Sequence, residues 1–300
     1  MMQMTKSKKY WKRRERINIA KQIKNDNKIA RKIRKNHIRA MDDIQQQIDA
    51  FYGRYAKTEG ITMVEARKRA TKLDMNKYKT KAEIYSKTRQ FSPRANEEMR
   101  LYNLTMKTNR LELLKANIQL ELVSMTNEDE RYLLEKFTRG AREGYERQAG
   151  ILGETLNYNE KNIKSIVNSS FNNAEWSDRL WDNQDALRSE LDRLLNRSIF
   201  QGVNPNKLAK EIKDKFDSGT YNAERLMRTE TARVQQDVFM DSAKQTGIEE
   251  YIFIAESSAC DICADLDGEV FKIKDAQVGV NAYPVHPNCK CSSALYIERD

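Results

Sequence analysis

The sequence predicts a mostly α-helical protein with long N-terminal helices and a C-terminal α+β domain that carries a small antiparallel sheet. No glycine or proline precedes Gly53, and none occurs between Pro93 and Gly140. Apolar residues recur at helical spacing in both stretches, which is typical of amphipathic helices. After Gly247 the pattern changes to short runs rich in aromatic and β-branched residues, EEYIFIA, EVFKI and ALYIE. Such runs favour strands, and helices followed by strands favour an α+β unit.

The first two helices are predicted from breakers and apolar spacing. The first helix is predicted to run from the N-terminus and to be interrupted at Gly53 and Gly60. Its later part carries apolar residues at helical spacing, Met41, Ile44, Ile48, Phe51 and Tyr55. Ser92 and Pro93 supply the cap and first-turn proline of a second, long helix. Its seam recurs mostly every seven residues, as Leu104, Leu111, Leu114, Ile118, Leu122 and Met125. This stripe predicts packing on a helix of this chain or of another copy, with ordinary core favoured.

Glycines 140, 144, 150 and 153 predict a flexible domain boundary. We therefore expect a basic helical arm at 1–60, a long-helix region at 61–150 and an α+β domain at 151–300, whose last part, 248–300, is the metal lobe. Within this domain the apolar spacing predicts a helix that ends before Gly202; its buried face is Trp176, Leu180, Trp181, Leu187, Leu191, Leu194 and Leu195.

Two further helices and a turn complete the C-terminal prediction. Asn204 and Pro205 have the cap and first-turn chemistry of a helix start. A separate helix is expected from about Asn222 to Gln245, with Gly247 just beyond its end. The dipeptide at 267–268, Asp-Gly, predicts a hairpin turn between the first two strands.

The charge of +10 is concentrated at the N-terminus. Residues 1–40 hold fifteen Lys or Arg against Glu15 and Asp26, a net charge of +13, so the remainder of the chain sums to −3. Such a segment predicts sequence-independent contact with DNA or another polyanion. A solvated helical face is the simpler alternative, and a thin stripe of isoleucines argues against a membrane-surface helix. The cations we assign to DNA are Lys8, Lys9, Lys12, Arg13, Arg14, Arg16, Arg31, Lys32, Arg34 and Lys35.

No apolar run approaches the roughly 18 residues of a membrane span, and no apolar segment follows the charged start. We therefore expect a cytoplasmic protein. Because that compartment keeps thiols reduced, its four cysteines are expected to be free or to bind metal rather than to form disulfides.

Cysteine and histidine are arranged as two ligand pairs. Cys260 and Cys263 form a CxxC on the loop after the first strand, and 22 residues later His286, Cys289 and Cys291 form HxxCxC before the last strand. This spacing predicts a structural Zn²⁺ with four tetrahedral ligands, which holds the small sheet together. The first four of these residues are the preferred set, and Cys291 is the alternative to His286.

Other interpretations of the cluster are less favoured. A redox CxxC is expected at the head of a helix in a βαβ unit, and a catalytic zinc needs an open position and a general base. A zinc-braced nuclease needs a further histidine, and the chain's only other one is His37, in the basic arm. Asp261, Asp265 and Asp267 are expected to shape the turn. The sequence thus predicts no enzyme. A metal-dependent nuclease and a zinc-containing DNA-binding protein remain alternatives, although a regulator is expected to place its cations beside the metal motif, not more than 200 residues away.

Three motifs in order, RTETARVQQ at 228–236, CDICADLDGEVF at 260–271 and HPNCKC at 286–291, closely resemble the minor head proteins of tailed bacteriophages, the Mu F-like head morphogenesis family. The resemblance covers roughly residues 150–300. It implies a non-enzymatic virion component inside the capsid, assembled in the host cytoplasm, that contacts the portal protein and, in some relatives, DNA. Major capsid or scaffolding protein and a second copy of the chain are further partners that we consider.

The resemblance also bears on single residues. It implies zinc ligation by the five Cys and His residues named above, and it matches Arg228, Thr229 and Glu230 to the family's helical motif. For this motif we expect a buried charge pair that braces the helix against the metal lobe, with a partner contact as the alternative.

Overall fold

A computed structural model describes residues 6–56, 110–171, 173–201 and 205–297. The predicted features at Gly60, Ser92, Pro93, Leu104 and Asn204 lie outside these residues. The helices are α1 (Lys6–Ala56), α2 (Arg110–Leu152), α3 (Glu160–Val167), α4 (Trp176–Gln201), α5 (Pro205–Gln245) and α6 (Asp261–Asp265); the strands are β1 (Glu250–Ile254), β2 (Val270–Lys272) and β3 (Ser292–Tyr296). The prediction of a mostly helical chain with a small C-terminal antiparallel sheet is confirmed.

Two predicted interruptions of helices are wrong. Helix α1 continues through Gly53 to Ala56, and α2 continues through Gly140 and Gly144. A Cβ atom built on Gly144 would lie 3.1 Å from Val238 Cγ1 and 3.2 Å from the side-chain oxygen of Gln235. Glycine is present there because it lets α2 and α5 approach closely, and this packing overrides its low helix propensity. Helix α2 ends only at Leu152, where Gly153 has φ +70°.

The two helices expected around 205 and 222 are one continuous helix, α5. Gly219 is its single internal glycine, and a Cβ built there would lie 3.4 Å from Leu187. That distance is an ordinary van der Waals contact, so Gly219 lies beside α4 within a continuous helix and does not end it. By contrast, the predicted end of α4 before Gly202 is confirmed, and all seven residues of its predicted apolar face are buried.

The described residues form two compact units, each built from separated segments. The first unit takes its residues from 1–32, 132–179 and 223–300, and the second from 33–131 and 180–222. The boundaries that we expected near 60 and 150 stay a prediction.

The second unit has a core of apolar side chains from α1, α2, α4 and α5. The predicted seam is confirmed as intramolecular core, since Leu114, Ile118, Leu122 and Met125 pack with Ile44, Ile48 and Phe51 of α1 and with apolar residues of α4 and α5. Leu111 is buried as well.

The first unit contains the sheet, in the order β2-β1-β3 with both pairs antiparallel. Because side chains alternate along a strand, Ile252 and Ile254 of β1 lie on one face, where they pack with Ile19 of α1. Tyr251 lies on the other face and packs with Phe239 of α5. The sheet is thus buried between α1 and α5. Part of the segment that we expected to be a separate basic arm is therefore core of the metal lobe.

The predicted turn at 267–268 is present, but the connection is longer than a tight hairpin. Gly268 has φ +92°, and its N–H donates to the Phe253 carbonyl 2.8 Å away. Strands β1 and β2 are joined by the whole segment 255–269, which includes α6. None of the helices that the structure describes has a long enough apolar stretch to cross a membrane.

Candidate metal centre

Two segments of the first unit supply the candidate ligands. Cys260 is the N-cap residue of α6 and Cys263 lies in its single turn, so a short helix replaces the loop that we expected at the CxxC motif. The other ligands come from residues 286–291, which we call the metal turn and which lead directly into β3. Because β1 is antiparallel to both of its neighbours, the CxxC is not part of a βαβ unit, which was the fold expected for a redox motif.

The structure brings all five predicted ligands together. His286 Nε2 lies 3.2 Å from Cys260 Sγ and 3.3 Å from Cys263 Sγ, and Cys263 Sγ lies 3.9 Å from Cys289 Sγ. The ligand atoms form two groups of three, and within each group all three atoms lie within 4.8 Å of one another. One group is Cys260, Cys263 and His286, and the other is Cys263, Cys289 and Cys291. Sulfur and nitrogen ligands of one tetrahedral zinc are separated by about 3.5 to 3.8 Å. Each group of three therefore has donor types and spacings that could hold such an ion, and Cys263 belongs to both groups.

The orientation of His286 suits a metal ligand. Its Nδ1 lies 2.9 Å from the Pro287 carbonyl oxygen, to which it can donate a hydrogen bond, and this leaves Nε2 facing the thiols. Metal-binding histidines are commonly oriented through the second ring nitrogen in this way. The turn is closed by the Cys289 N–H, which donates to the His286 carbonyl over 3.1 Å, and by Asn288 in a left-handed conformation with φ +65°.

The surroundings of Cys263, Cys289 and Cys291 shift the pKa values of their thiols in different directions. A hydrogen bond with Cys291 lowers the pKa of Cys289 to about 5, and the same bond together with burial raises the pKa of Cys291. Burial, reinforced by the neighbouring Cys289 thiolate, raises the pKa of Cys263 to about 12. Burial alone would lower the pKa of His286, but the Pro287 carbonyl and the nearby sulfurs raise it. A cation bound among the sulfurs would favour ionisation of all of them, so metal uptake here should release protons.

The predicted role of the acidic residues is visible at Asp267. This side chain accepts a hydrogen bond from the Ala255 N–H over 3.1 Å and forms an ion pair with Lys12 of α1. Asp261 and Asp265 are exposed on α6. Asp267 therefore braces the segment 255–269, as expected, and also connects it to the basic helix.

The helical motif on α5 contacts several elements. Thr229 accepts a hydrogen bond from the Asn288 N–H over 3.1 Å, so this residue contacts the metal turn. Glu230 is completely buried and accepts bonds from Arg179 over 3.1 Å and from Arg233 over 2.5 Å. Arg228 instead pairs with Glu224 on the same helix, 3.3 Å away. Within the motif the buried charge belongs to Glu230, while Thr229 contacts the lobe.

Sequence reasoning missed the role of Arg233, which is 2% exposed. Its guanidinium donates to the carbonyl oxygens of Ile166 and Val167, both over 2.9 Å, and to Asp237 over 2.7 Å. Arg233 thus helps to satisfy the carbonyl groups in the last turn of α3, where the Ile166 oxygen also accepts a hydrogen bond from the Ser169 hydroxyl over 3.1 Å. Its position three residues after Glu230 was the only signal in the sequence.

The predicted DNA-binding cations divide by exposure. Three of them are partly buried: Lys8 lies over the Tyr296 ring, Lys12 pairs with Asp267, and Arg14 lies over the Trp11 ring. The exposed members of the set are Lys9, Arg13, Arg16, Arg31, Lys32, Arg34 and Lys35.

The contacts of Lys12, Arg16 and His37 bear on the two alternative functions. Lys12 and Arg16 lie beside Asp267 of the metal lobe, so distance along the chain does not argue against a zinc-containing DNA-binding protein. His37 belongs to the second unit and is 5% exposed. Its Nε2 lies 3.0 Å from Asp129 Oδ2, and its Nδ1 lies 3.0 Å from Thr220 Oγ1. It is therefore a buried, hydrogen-bonded residue rather than an exposed base.

A known protein family matches part of the chain. The family described as phage Mu protein F like protein matches residues 189–294. The resemblance predicted from the three motifs is therefore confirmed for this part of the chain, which contains every candidate metal ligand. No curated protein and no solved structure matches the chain.

Proposed function

From the match of residues 189–294 to the phage Mu F-like family, we propose that the protein is a structural minor capsid component of a tailed phage that acts in head morphogenesis. The match carries the proposal because one stretch of chain contains the helical motif, the CxxC and the metal turn in the family's order. On this proposal the protein is not an enzyme, assembles in the host cytoplasm and lies inside the capsid in contact with the portal and packaged DNA.

The metal centre would serve this role by bracing the lobe. Cys260, Cys263, His286 and Cys289, with Cys291 as the fifth candidate, would hold Zn²⁺ between α6 and the metal turn. A zinc ion with four protein ligands contributes folding free energy and leaves no position for a substrate. The residues themselves fit this role, because their side chains meet between two segments that each lead into a strand of the same sheet.

The zinc proposal is tested by metal analysis of the purified full chain. We expect about one zinc per chain, and Cys263→Ser should lose it because Cys263 belongs to both ligand groups. Asp261→Asn is the control, since Asp261 is exposed beside the ligands and should not contribute. A folded, metal-free lobe in the unaltered protein would contradict the proposal.

DNA contact would use the exposed face of α1. Lys24, Lys28 and Arg31 are exposed and three or four residues apart, so they lie along one side of the helix. On the opposite side of the helix, Ile19 packs onto the sheet, so the position of these cations relative to the sheet is fixed. Cations of this kind bind phosphates without reading sequence and release counterions. DNA inside a capsid provides such a polyanion.

A truncation would not test this contact cleanly, because it would also remove Ile19 from the core. The test is therefore a charge-neutralising variant of the full chain, Lys24→Gln with Lys28→Gln and Arg31→Gln. The matched control is Lys207→Gln with Lys210→Gln and Lys213→Gln, three exposed cations of α5. We expect the first triple to reduce the slope of log affinity against log salt by about 2 to 3 and the control to leave it unchanged. Equal slopes for all three proteins would end the DNA proposal.

The portal contact is tested by co-expression. We expect the full chain to co-purify with the portal protein encoded in a neighbouring reading frame, whereas a protein without this role would elute alone. Mixing with major capsid or scaffolding protein, and the mass of the chain alone in solution, test the remaining partners. The protein should also leave plasmid intact in Mg²⁺ or Mn²⁺, and cleavage would favour the nuclease.

A zinc-containing DNA-binding protein is the second candidate, favoured by the contact of Lys12 with the metal lobe. Competition between DNA sequences separates the two. A capsid component should bind all duplexes alike, whereas a regulator should prefer its own site by about 10³ or more.

A further inference from the structure

We infer that the metal turn fixes the N-terminal half of α1 on the sheet, so that metal occupancy controls how firmly this basic helix is docked, with Glu15 and Ser292 as positioning residues. The inference rests on the proposed metal. It goes beyond bracing of the lobe because the element that responds lies more than 200 residues away in sequence.

The first link runs from the last ligand to a buried carboxylate on α1. Ser292 follows Cys291 directly, and its hydroxyl donates to Glu15 Oε2 over 2.9 Å. Glu15 is 1% exposed and also pairs with Arg147 of α2. A buried carboxylate that loses a partner carries a large desolvation cost, so displacement of Ser292 should weaken the docking of α1.

The second link runs from α6 to the same helix. Asp267 lies two residues beyond α6 and bonds both to Lys12 and to the Ala255 N–H. Its position depends on the segment 255–269, which also carries Cys260 and Cys263. Loosening of that segment would therefore displace a second contact of α1.

The third link is electrostatic and passes through α5. Asp26 of α1 is 9% exposed, and burial raises its pKa to about 7, while the positive charges of Arg228 and Lys290 favour its ionised form. Lys290 lies between two candidate ligands, and Arg228 precedes Thr229, which bonds to the metal turn. The two cations whose charges act on Asp26 are thus attached to the metal turn, Lys290 within it and Arg228 beside Thr229.

Three of these partners of α1, Ser292, Asp267 and Lys290, lie within two residues of a ligand or of α6. Ile19 with its apolar neighbours, Lys8 over the Tyr296 ring and the pair of Glu15 with Arg147 hold α1 independently of the metal. Loss of metal should therefore loosen α1 without unfolding the whole chain. Loosening would show as faster exchange of backbone amides, because local opening exposes hydrogen bonds that are otherwise protected.

The experiment is hydrogen exchange of the full chain, zinc-loaded and after chelation, followed by mass spectrometry of peptides from 9–31 and from 40–51. We expect exchange in 9–31 to become at least ten-fold faster without zinc, and exchange in 40–51, which lies in the second unit, to stay the same. If zinc is present and its removal changes exchange only between residues 256 and 291, the inference is wrong and the metal proposal stands. A protein that never contains zinc refutes the metal proposal first.

A variant separates the link from general loss of structure. Ser292→Ala should keep its zinc but raise exchange in 9–31 several-fold. Ser293→Ala is the matched control, because the next residue of β3 points to the other face of the sheet and its hydroxyl has no hydrogen-bond partner. Equal exchange in the two variants would overturn the role of Ser292.

Discussion

The side-chain oxygen of Thr229 lies 3.1 Å from the backbone nitrogen of Asn288, and this hydrogen bond joins α5 to the metal turn. Replacing Thr229 with valine keeps the shape but removes the acceptor. We expect Thr229→Val to lower the free energy of unfolding by about 1 to 2 kcal/mol and to weaken zinc affinity. Thr231→Val is the control, since both hydroxyls donate to a carbonyl four residues earlier but only Thr229 bonds to Asn288. Urea titration and competition with a zinc chelator measure the two effects. The same zinc affinity in both variants would show that the bond does not support the turn.

The buried carboxyl group of Asp26 should make stability depend on pH. Burial raises its pKa to about 7, with Arg228 and Lys290 favouring ionisation. Between about pH 4 and 7 the folded protein therefore holds a proton that the unfolded chain has released, so this contribution to stability is complete below pH 4 and is lost as the pH rises to 7. Asp26→Asn should remove that slope and be more stable at pH 8 by at most about 4 kcal/mol. Unfolding free energies of the two proteins at matched pH test this, and parallel curves would contradict it.

The guanidinium of Arg233 should be essential to the packing of α3. Arg233→Lys keeps the charge but cannot reach the carbonyl groups of Ile166 and Val167 together with Glu230. We expect a loss of about 2 to 4 kcal/mol of stability, because buried partners are left unsatisfied. Arg193→Lys, at a surface pair with Glu190, should change stability by less than about 0.5 kcal/mol. Similar unfolding midpoints for the two variants would show that the Arg233 network adds little.

Two glycines of α2 should respond oppositely to alanine. A Cβ on Gly144 meets Val238 and Gln235 of α5, whereas one on Gly150 has no atom within 4 Å. Gly144→Ala should destabilise the protein by about 1 kcal/mol or more, because the two helices must separate. Gly150→Ala should stabilise it by up to about 1 kcal/mol through helix propensity. Thermal melting of both variants is sufficient. An equal gain from both would mean that α2 and α5 are not closely packed at Gly144.

The motifs and apolar faces were predictable because they are local in sequence. The spacing of cysteine and histidine predicted the five candidate ligands, Cys260, Cys263, His286, Cys289 and Cys291. The structure places them in two groups of three that share Cys263. The seam of α2 and the apolar face of α4 follow from helical periodicity, and both are buried.

The features that the sequence did not predict depend on contacts between distant segments. Gly144 was interpreted as part of a flexible boundary because the side chains opposite it on α5 could not be known. Arg233 and Glu15 resemble solvent-exposed charges, since only their partners on other elements show that they are buried. The docking of Ile19 on the sheet was missed for the same reason, because a net charge of +13 over residues 1–40 favoured an exposed arm.

Burial of Ile19 against Ile252 and Ile254 has a consequence for biosynthesis. The ribosome makes α1 before the sheet that covers its apolar side, and more than 200 residues of chain separate Ile19 from that sheet. The apolar side of α1 therefore stays uncovered until those residues have been translated. Contacts of such long sequence separation form slowly and leave apolar surface open to aggregation in the meantime. We therefore expect nascent chains that stall before residue 250 to bind chaperones through this helix.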